Sequence, residues 1–208
     1  MVNDIPTWEE HFRIRQTSLP QKIEILGGFE IDSSKNADLA KKISTFNGDI
    51  TTLEVDAIVN AANTSLLGGG GVDGAIHQAA GPELKEECRS LKGCNTGEAK
   101  ITGAYKLPAK YVIHTVGPRR EKPDFLTACY KNSLNIMLDL QLRTVAFPCI
   151  STGVYSYPLD RAAQVACRQV RTYLEKHGAA IDRVIFCLFG PEDVAVYEAT
   201  LQSYFPVS

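Results

Sequence analysis

Five glycines fall within seven residues of this chain, in the stretch Gly68-Gly69-Gly70-Gly71-Val72-Asp73-Gly74. Consecutive glycines lose much backbone entropy on folding, so such a run is expected where the backbone needs positive φ or approaches a ligand closely. The apolar run Ala57 to Val59 precedes the stretch, and Ala75 to Ala80 has the composition of a helix. A glycine loop entering a helix N-terminus directs free N–H groups at one point, which suits a phosphate.

The glycine stretch has a simpler alternative, which is a flexible linker. Its position between a strand and a helix favours the phosphate loop. The pattern is neither GxGxxG nor a P-loop, because no Gly-Lys-Ser or Gly-Lys-Thr follows it. ATP hydrolysis of the P-loop type is therefore not expected.

Short runs rich in Val, Ile and Phe alternate with helical patterns along the chain. The runs predict strands at Ile43 to Phe46, Ala57 to Val59, Tyr111 to Val116, Val145 to Ile150 and Val184 to Phe189. Helical spacing relates Leu126, Tyr130, Leu134 and Met137, and likewise Ala163, Ala166, Val170 and Tyr173, with Pro158 in the first turn and Gly178 as the stop. This alternation predicts a layered α/β fold with ligand sites at the strand C-termini.

The first 41 residues differ from the rest, because Pro6, Pro20, Gly27 and Gly28 interrupt them and Ser33 to Asn36 reads as a loop. We expect residues 1–41 to form an N-terminal extension packed on the domain, with one short helix from Trp8 to Arg15. Residues 42–208 form the domain itself.

Charge and cysteine usage exclude several classes of function. The net charge of -2 argues against a protein that neutralises many nucleic-acid phosphates. The six cysteines form no CxxC pair and no spacing typical of a tetrahedral metal site, which predicts buried reduced thiols and no metal. Neither a secretory signal nor an apolar run of membrane-spanning length is visible, so a cytoplasmic or nuclear location without membrane association is expected.

A second glycine loop, Ile150-Ser151-Thr152-Gly153-Val154-Tyr155-Ser156-Tyr157, also follows a predicted strand and precedes a predicted helix. Two such loops can hold a diphosphate from both sides without a basic cluster. The alternative is an ordinary strand–helix connection.

Polar residues lie at two further strand ends. Asparagine is unfavourable inside strands, so Asn60 and Asn63 at the end of Val59-Asn60-Ala61-Ala62-Asn63 suggest amides presented to sugar hydroxyls. Asp49 in the turn Asn47-Gly48-Asp49-Ile50 can accept a hydrogen bond from an exocyclic amine. A turn or helix cap is the alternative for Asp49.

These motifs together resemble the macrodomain family, and most of all its MacroD-type branch. The resemblance covers about Lys42 to Phe205 and rests on the order of six motifs, namely Gly48-Asp49-Ile50, Val59 to Asn63, Gly68 to Gly74, Ala79-Ala80-Gly81-Pro82, Ile113 to Pro118 and Ile150 to Tyr155. It implies a three-layer αβα macrodomain with a six-stranded mixed sheet and an ADP-ribose cleft at its crest.

The resemblance also implies roles for individual residues. Asp49 and the Ile50 backbone bind adenine, and Phe189 lies near that base. The diphosphate is held by Gly69, Gly70, Gly71 and Val72 and by Ser151, Thr152, Gly153, Val154 and Tyr155, with Tyr155 packed over the distal ribose. Asn63 and Asp73 face that ribose as the catalytic pair. No cofactor is implied.

The implied activity is removal of mono-ADP-ribose from Asp and Glu side chains of modified proteins and deacetylation of O-acetyl-ADP-ribose, by a monomer. A non-catalytic reader of ADP-ribose and an ADP-ribose 1''-phosphate phosphatase are the alternatives. In the hydrolase, Asp73 accepts a proton from water or from a ribose hydroxyl; a substrate-assisted route, with the diphosphate holding the water, is equally allowed.

Three departures from the family pattern stand out. Ser156 replaces a usual glycine, Gln78 replaces a frequent basic residue and is expected to face outward, and the glutamate pair of poly(ADP-ribose) glycohydrolases is absent. Cleavage of polymer links is therefore not expected. Cys149 and His114 could in principle form a nucleophile pair, but a core thiol at Cys149 and a hydrogen-bonded structural histidine at His114 are expected instead.

Overall fold

The computed structural model describes residues 2–15 and 17–207. Over these residues the helices are α1 (Trp8–Arg15), α2 (Asn36–Ala40), α3 (Gly71–Ala80), α4 (Pro82–Ser90), α5 (Pro123–Asp139), α6 (Leu159–His177) and α7 (Pro191–Tyr204). The strands are β1 (Ile43–Asn47), β2 (Ala57–Ala61), β3 (Ala99–Gly103), β4 (Tyr111–Thr115), β5 (Thr144–Phe147) and β6 (Arg183–Leu188). None of the helices in these ranges is long and apolar enough to cross a bilayer.

The described strands form one mixed sheet in the order β1-β6-β5-β2-β4-β3. β3 runs antiparallel to β4, whereas the other neighbours are parallel. The predicted α/β fold with a six-stranded mixed sheet is thus confirmed. The carboxyl ends of β1, β6, β5, β2 and β4 meet at one edge, and the glycine loops lie there.

The apolar runs identified five of the six strands. β3 is missing from that prediction because its Ala-Lys-Ile-Thr-Gly segment is only half-buried and pairs along one edge. β5 ends at Phe147 rather than Ile150, because Pro148 has no N–H to continue the ladder. β4 and β6 each end one residue earlier than predicted.

Two apolar cores lie on opposite faces of the sheet. One unites Val59, Val145 and Phe147 with residues of α1, α5, α6 and α7. The other unites Ile58 and Ala146 with residues of α3 and α4. The chain therefore leaves β2 toward one face and the neighbouring β5 toward the other. Such a topological switch point leaves a crevice beyond the strand ends, where ligands bind in open α/β sheets.

The N-terminal segment is tied to the main sheet and helices. Trp8 has no exposed surface, and its indole N–H donates to Phe205 O over 2.9 Å. Glu198 accepts from His11 and Arg15 of α1. The predicted helix from Trp8 to Arg15 is confirmed.

Two local predictions are wrong. The segment predicted as a loop, Ser33 to Asn36, is a 3₁₀ turn that leads directly into α2, because the Asp32 carboxylate caps the turn through Ser34 N–H. Pro158 is the N-cap of α6 rather than a first-turn residue, since its ψ of 125° is not helical and the helix begins at Leu159.

Candidate ligand cleft at the strand ends

The candidate site lies in the crevice between the segments that follow β2 and β5. Along this edge of the sheet, Asp49 follows β1, Phe189 follows β6, Ser151 follows β5, and the glycine stretch follows β2. These four predicted sites therefore fall on one edge, in an order that suits a ligand lying across the strand ends.

The glycine stretch turns into α3 earlier than predicted. α3 begins at Gly71, with Gly70 as its N-cap, so Asp73 lies in the first turn of the helix rather than in the loop. The first N–H groups of a helix have no intrahelical acceptor. The backbone of Gly71, Val72 and Asp73 is therefore placed to donate to an anion in the crevice.

Gly69 brings the loop backbone against the two residues predicted to be catalytic. A Cβ at Gly69 would lie 3.0 Å from Asp73 Oδ2 and 3.3 Å from Asn63 Nδ2. A side chain would therefore crowd both groups. The structure thus places Asp73 and Asn63 on either side of Gly69.

The Asn63 amide holds the entrance to the glycine loop. Its Nδ2 donates to Gly68 O over 3.0 Å, and its Oδ1 accepts from the N–H and the hydroxyl of Ser65. These bonds shape the turn after β2. They also fix the direction in which the half-buried amide faces the crevice.

Asn60 lies behind the crevice and not on it. The side chain has no exposed surface, so the prediction that it is presented to a sugar hydroxyl is wrong. Its Nδ2 donates to Asp73 Oδ1 over 2.8 Å and contacts His114 Nδ1 at 3.1 Å. Asn60 therefore positions the Asp73 carboxylate instead of touching a ligand.

A second buried group supports Asn60. Asn60 Nδ2 carries only donor hydrogens, so His114 Nδ1 must be the acceptor in their contact. The ring proton of neutral His114 therefore lies on Nε2. This Nε2–H donates to Thr102 Oγ1 over 2.9 Å. Burial lowers the pKa of His114 to about 3, which keeps the ring neutral. The prediction that His114 is a hydrogen-bonded structural residue is confirmed.

Asp73 is only 4% exposed, and that burial raises the pKa of its carboxyl group. The hydrogen bond from Asn60 and the nearby His77 act in the opposite direction. A carboxylate with a raised pKa is a stronger base than an exposed one. Asp73 therefore combines a fixed position with the basicity that proton abstraction requires.

His77 is a site residue that the sequence analysis missed. Its Nε2 lies 3.5 Å from Asp73 Oδ1 and is buried without a hydrogen-bond partner. Burial lowers the pKa of His77, while Asp73 raises it. The i,i+4 spacing from Asp73 was the available signal, since such residues share one helix face. Gln78, the next residue, is exposed as expected.

The second glycine loop, Ser151 to Tyr155, borders the other side of the crevice. Ser151 adopts a φ of 67° and buries its Oγ without a hydrogen-bond partner. Gly153 is exposed and Val154 is 95% exposed, whereas Thr152 Oγ1 donates to Cys149 O. The loop thus offers its backbone to the crevice, while the Ser151 hydroxyl is buried against Gly117.

One cationic and two aromatic side chains complete that border. Tyr155 is half-buried, and the Arg119 guanidinium lies 4.9 Å from its ring centroid. This contact holds the ring of Tyr155 at the rim. Phe189 is 94% exposed at the end of β6, where an apolar ring is available to a flat ligand.

Asp49 caps the 3₁₀ turn after β1. Its Oδ1 accepts from Thr51 N–H over 2.9 Å and from Thr51 Oγ1 over 2.7 Å. The side chain is exposed, so the carboxylate retains acceptor capacity for a ligand. Ile50 is 4% exposed and offers only its backbone. Both interpretations of Asp49, cap and ligand acceptor, are therefore compatible with the geometry.

The cysteines lie in or against the apolar interior. Five are buried and Cys149 is partly buried, and all six are free. Burial raises the pKa of the Cys149 thiol to about 12, which makes it a poor nucleophile, and its Sγ faces Cys187 O. The expectation of a core thiol at Cys149 is confirmed.

Comparison with known proteins agrees with this geometry. The Macro domain family model matches residues 59–166. ADP-ribose glycohydrolase MACROD1 of Bos taurus is 51% identical over 213 residues, which cover 100% of this chain. The chain spans 63% of that relative's length. A macro domain-containing protein of Ralstonia nicotianae is 56% identical over 164 residues, 76% of this chain and 94% of the relative.

A solved structure aligns over nearly the whole chain. The Trypanosoma brucei macrodomain in complex with ADP-ribose superposes with a TM-score of 0.77 at 42% identity, covering 95% of this chain and 87% of that one. The strand order, the switch-point crevice and the matched sequence agree with one another, and the chain belongs to the macro domain family, in its MacroD-type branch.

Proposed function

We propose that this chain is a hydrolase that binds ADP-ribose, removes mono-ADP-ribose from Asp and Glu side chains, and deacetylates O-acetyl-ADP-ribose. The observation that carries the proposal is the buried Asp73 carboxylate in the first turn of α3, fixed by Asn60 and lying beside His77. The names of the MACROD1 relatives and the ADP-ribose bound to the Trypanosoma brucei macrodomain support the choice of ligand.

The crevice accounts for the binding of each part of the ligand. The diphosphate lies between the N-terminus of α3 and the Ser151 to Tyr155 loop, where backbone N–H groups replace a basic cluster. Adenine lies toward Asp49 and Phe189. The distal ribose then lies toward Asn63 and Asp73, which Gly69 holds together.

Hydrolysis of the sugar ester needs an oriented water and a proton acceptor. In the general-base route, Asp73 takes the proton from the attacking water or from a ribose hydroxyl, and the carboxylate of the modified protein leaves. Asn60 keeps the Asp73 carboxylate oriented, and Asn63 orients the ribose. In the substrate-assisted route the diphosphate holds the water, and Asp73 positions the sugar.

Exchange of Asp73 separates catalysis from binding. We expect Asp73→Asn to bind ADP-ribose within about tenfold of the parent, since the backbone holds the diphosphate. Turnover of a glutamate-linked mono-ADP-ribosyl acceptor is expected to fall by about 10²–10⁴, the range for loss of a general base. Calorimetry gives the affinity, and release of ADP-ribose gives the rate.

Asp124→Asn is the matched control, because Asp124 is an exposed acidic residue in the first turn of α5. It is expected to leave both affinity and rate unchanged. Unchanged turnover in Asp73→Asn would refute the general-base role and favour the substrate-assisted route. Tight binding by a parent protein that shows no turnover would establish the reader instead.

A further inference from the structure

Three potential metal ligands converge beneath the crevice from separate elements. His77 belongs to α3, Cys88 to α4 and His114 to β4, and one ligand atom of each lies within 4.8 Å of the other two. Cys88 and His114 have no exposed surface, and His77 is partly buried. The sequence spacing of these residues indicates no metal site, because 11 and 26 residues separate them along two helices and a strand.

The geometry of one edge already suits a zinc ion. Cys88 Sγ lies 3.7 Å from His114 Nε2. Tetrahedral coordination with Zn–N of about 2.0–2.1 Å and Zn–S of about 2.3 Å separates N and S by about 3.6 Å. The ligand atoms of the three residues lie up to 4.8 Å apart, so the His77 ring must move roughly 1 Å toward Cys88 and His114 to reach the spacing of a zinc site.

His77 is free to make this approach. Its Nε2 is buried without a hydrogen-bond partner, so an ion breaks no existing bond there. His77 also lines a cavity of about 390 Å³, together with Gly68, Gly74 and Lys85. Asp73, 3.5 Å from His77 Nε2, supplies negative charge beside the cluster.

We propose that His77, Cys88 and His114 bind Zn²⁺ or a similar thiophilic divalent cation, with a water or Asp73 in the fourth position, and that the bound ion inhibits the enzyme. Binding releases the Cys88 thiol proton to solvent. The His114 ring proton moves from Nε2, where it faces Thr102, to Nδ1, and the Asn60 amide turns so that its Oδ1, which has no hydrogen-bond partner, accepts that proton. Asn60 Nδ2 then no longer donates to Asp73. Binding also draws His77 and Asp73 toward the ion. The inhibitory part rests on the proposed hydrolase function, whereas the binding part does not.

Co²⁺ is the probe for binding, because a Co²⁺–thiolate bond gives a charge-transfer absorption that carboxylate and imidazole ligands do not. We expect the full chain to bind one equivalent of Co²⁺ with this band, and added Zn²⁺ to abolish it. Cys88→Ser is expected to lose the band. Cys94→Ser is the matched control, because burial raises the pKa of both thiols to about 11, yet Cys94 Sγ contacts Asn95 O.

Circular dichroism checks that each variant is folded, and Cys88→Ala replaces Cys88→Ser if the latter is not. A band that is absent from the parent, or that survives in the folded Cys88 variant, overturns the site. Saturating Zn²⁺ is then expected to slow hydrolysis at least tenfold in the parent and in Cys94→Ser but not in Cys88→Ser.

The two proposals fail in different ways. If the parent shows the Co²⁺ band and Zn²⁺ leaves its hydrolysis unchanged, the inhibitory role is refuted. If the parent hydrolyses no ADP-ribosyl substrate, the proposed function fails, while the Co²⁺ band in the parent and its loss in Cys88→Ser still establish the site.

Discussion

Gly74 tests whether the glycine loop has the close packing described above. A Cβ on Gly74 would lie 2.5 Å from Gly69 O, closer than real Cβ atoms approach any neighbour. The opposing atom is backbone, so the loop itself must move. Gly69 is in turn confined by Asp73 and Asn63. Gly74→Ala is therefore expected to displace the loop that separates the two predicted catalytic side chains.

The magnitude follows from two opposing terms. Overpacking a close contact costs about 1–3 kcal/mol. Alanine stabilises a helix interior by about 0.5–1 kcal/mol relative to glycine. Over most of these values the cost of the clash exceeds the gain in helix propensity, so Gly74→Ala is expected to lower the free energy of unfolding by up to about 2.5 kcal/mol. For a domain of this size each kcal/mol lowers the melting temperature by about 2–4 °C.

The assay is thermal denaturation with and without ADP-ribose. Gly74→Ala is expected to melt several degrees below the parent. Its melting temperature is also expected to rise less than the parent's when ADP-ribose is added. Gly153→Ala is the matched control for stability, because nothing lies within 4 Å of its Cβ position. Gly74→Ala that melts with the parent and binds ADP-ribose equally well would refute the contact between Gly69 O and Gly74.

Three further predictions concern single carboxylates and amides. Asp49→Ala is expected to weaken ADP-ribose binding by about 1–3 kcal/mol and to reduce the preference for adenine over hypoxanthine, whereas Thr51→Val keeps that preference; calorimetry with both bases checks this. Asn60→Leu removes a hydrogen bond that lowers the pKa of Asp73, so the acid limb of the pH–rate profile is expected to move to higher pH; an unmoved limb contradicts the role of Asn60. Asp56 has a lowered pKa, since burial, which raises it, is outweighed by hydrogen bonds from Lys110 and two backbone N–H groups. Its contribution to stability is present above the unfolded pKa of about 3.9 and is lost as pH falls through the lower folded pKa. Urea denaturation should therefore show Asp56→Asn destabilised near pH 7 and progressively closer to the parent as the pH falls below that unfolded value.

The sheet was predictable where its strands are buried on both faces. Val184 to Leu188 is apolar because parallel strands between two helical layers expose neither face. β3 pairs only with β4 and is half-buried, so its sequence carries no such run. The order of the strands is a long-range property, and here the family resemblance supplied what hydrophobic patterning does not contain.

The ligand loops were predictable for a related reason. Glycine runs and strand-end polar residues are visible in sequence because the conformations they permit are local. The start of α3 was misplaced by four residues, from Ala75 to Gly71, because glycine has low helix propensity and the first turn is fixed by tertiary contacts around Asp73.

The groups behind the crevice were not predictable, because their meaning depends on three-dimensional neighbours. An asparagine at a strand end reads equally well as a ligand contact or as a buried support, and only the 2.8 Å bond to Asp73 makes Asn60 the latter. His77, Cys88 and His114 each have an ordinary explanation in sequence, as a helix residue or a core residue. Their convergence within 4.8 Å depends on how α3 and α4 pack on β4. The packing that fixes the Asp73 carboxylate also places this buried cluster beside it, and sequence spacing does not encode those packing distances.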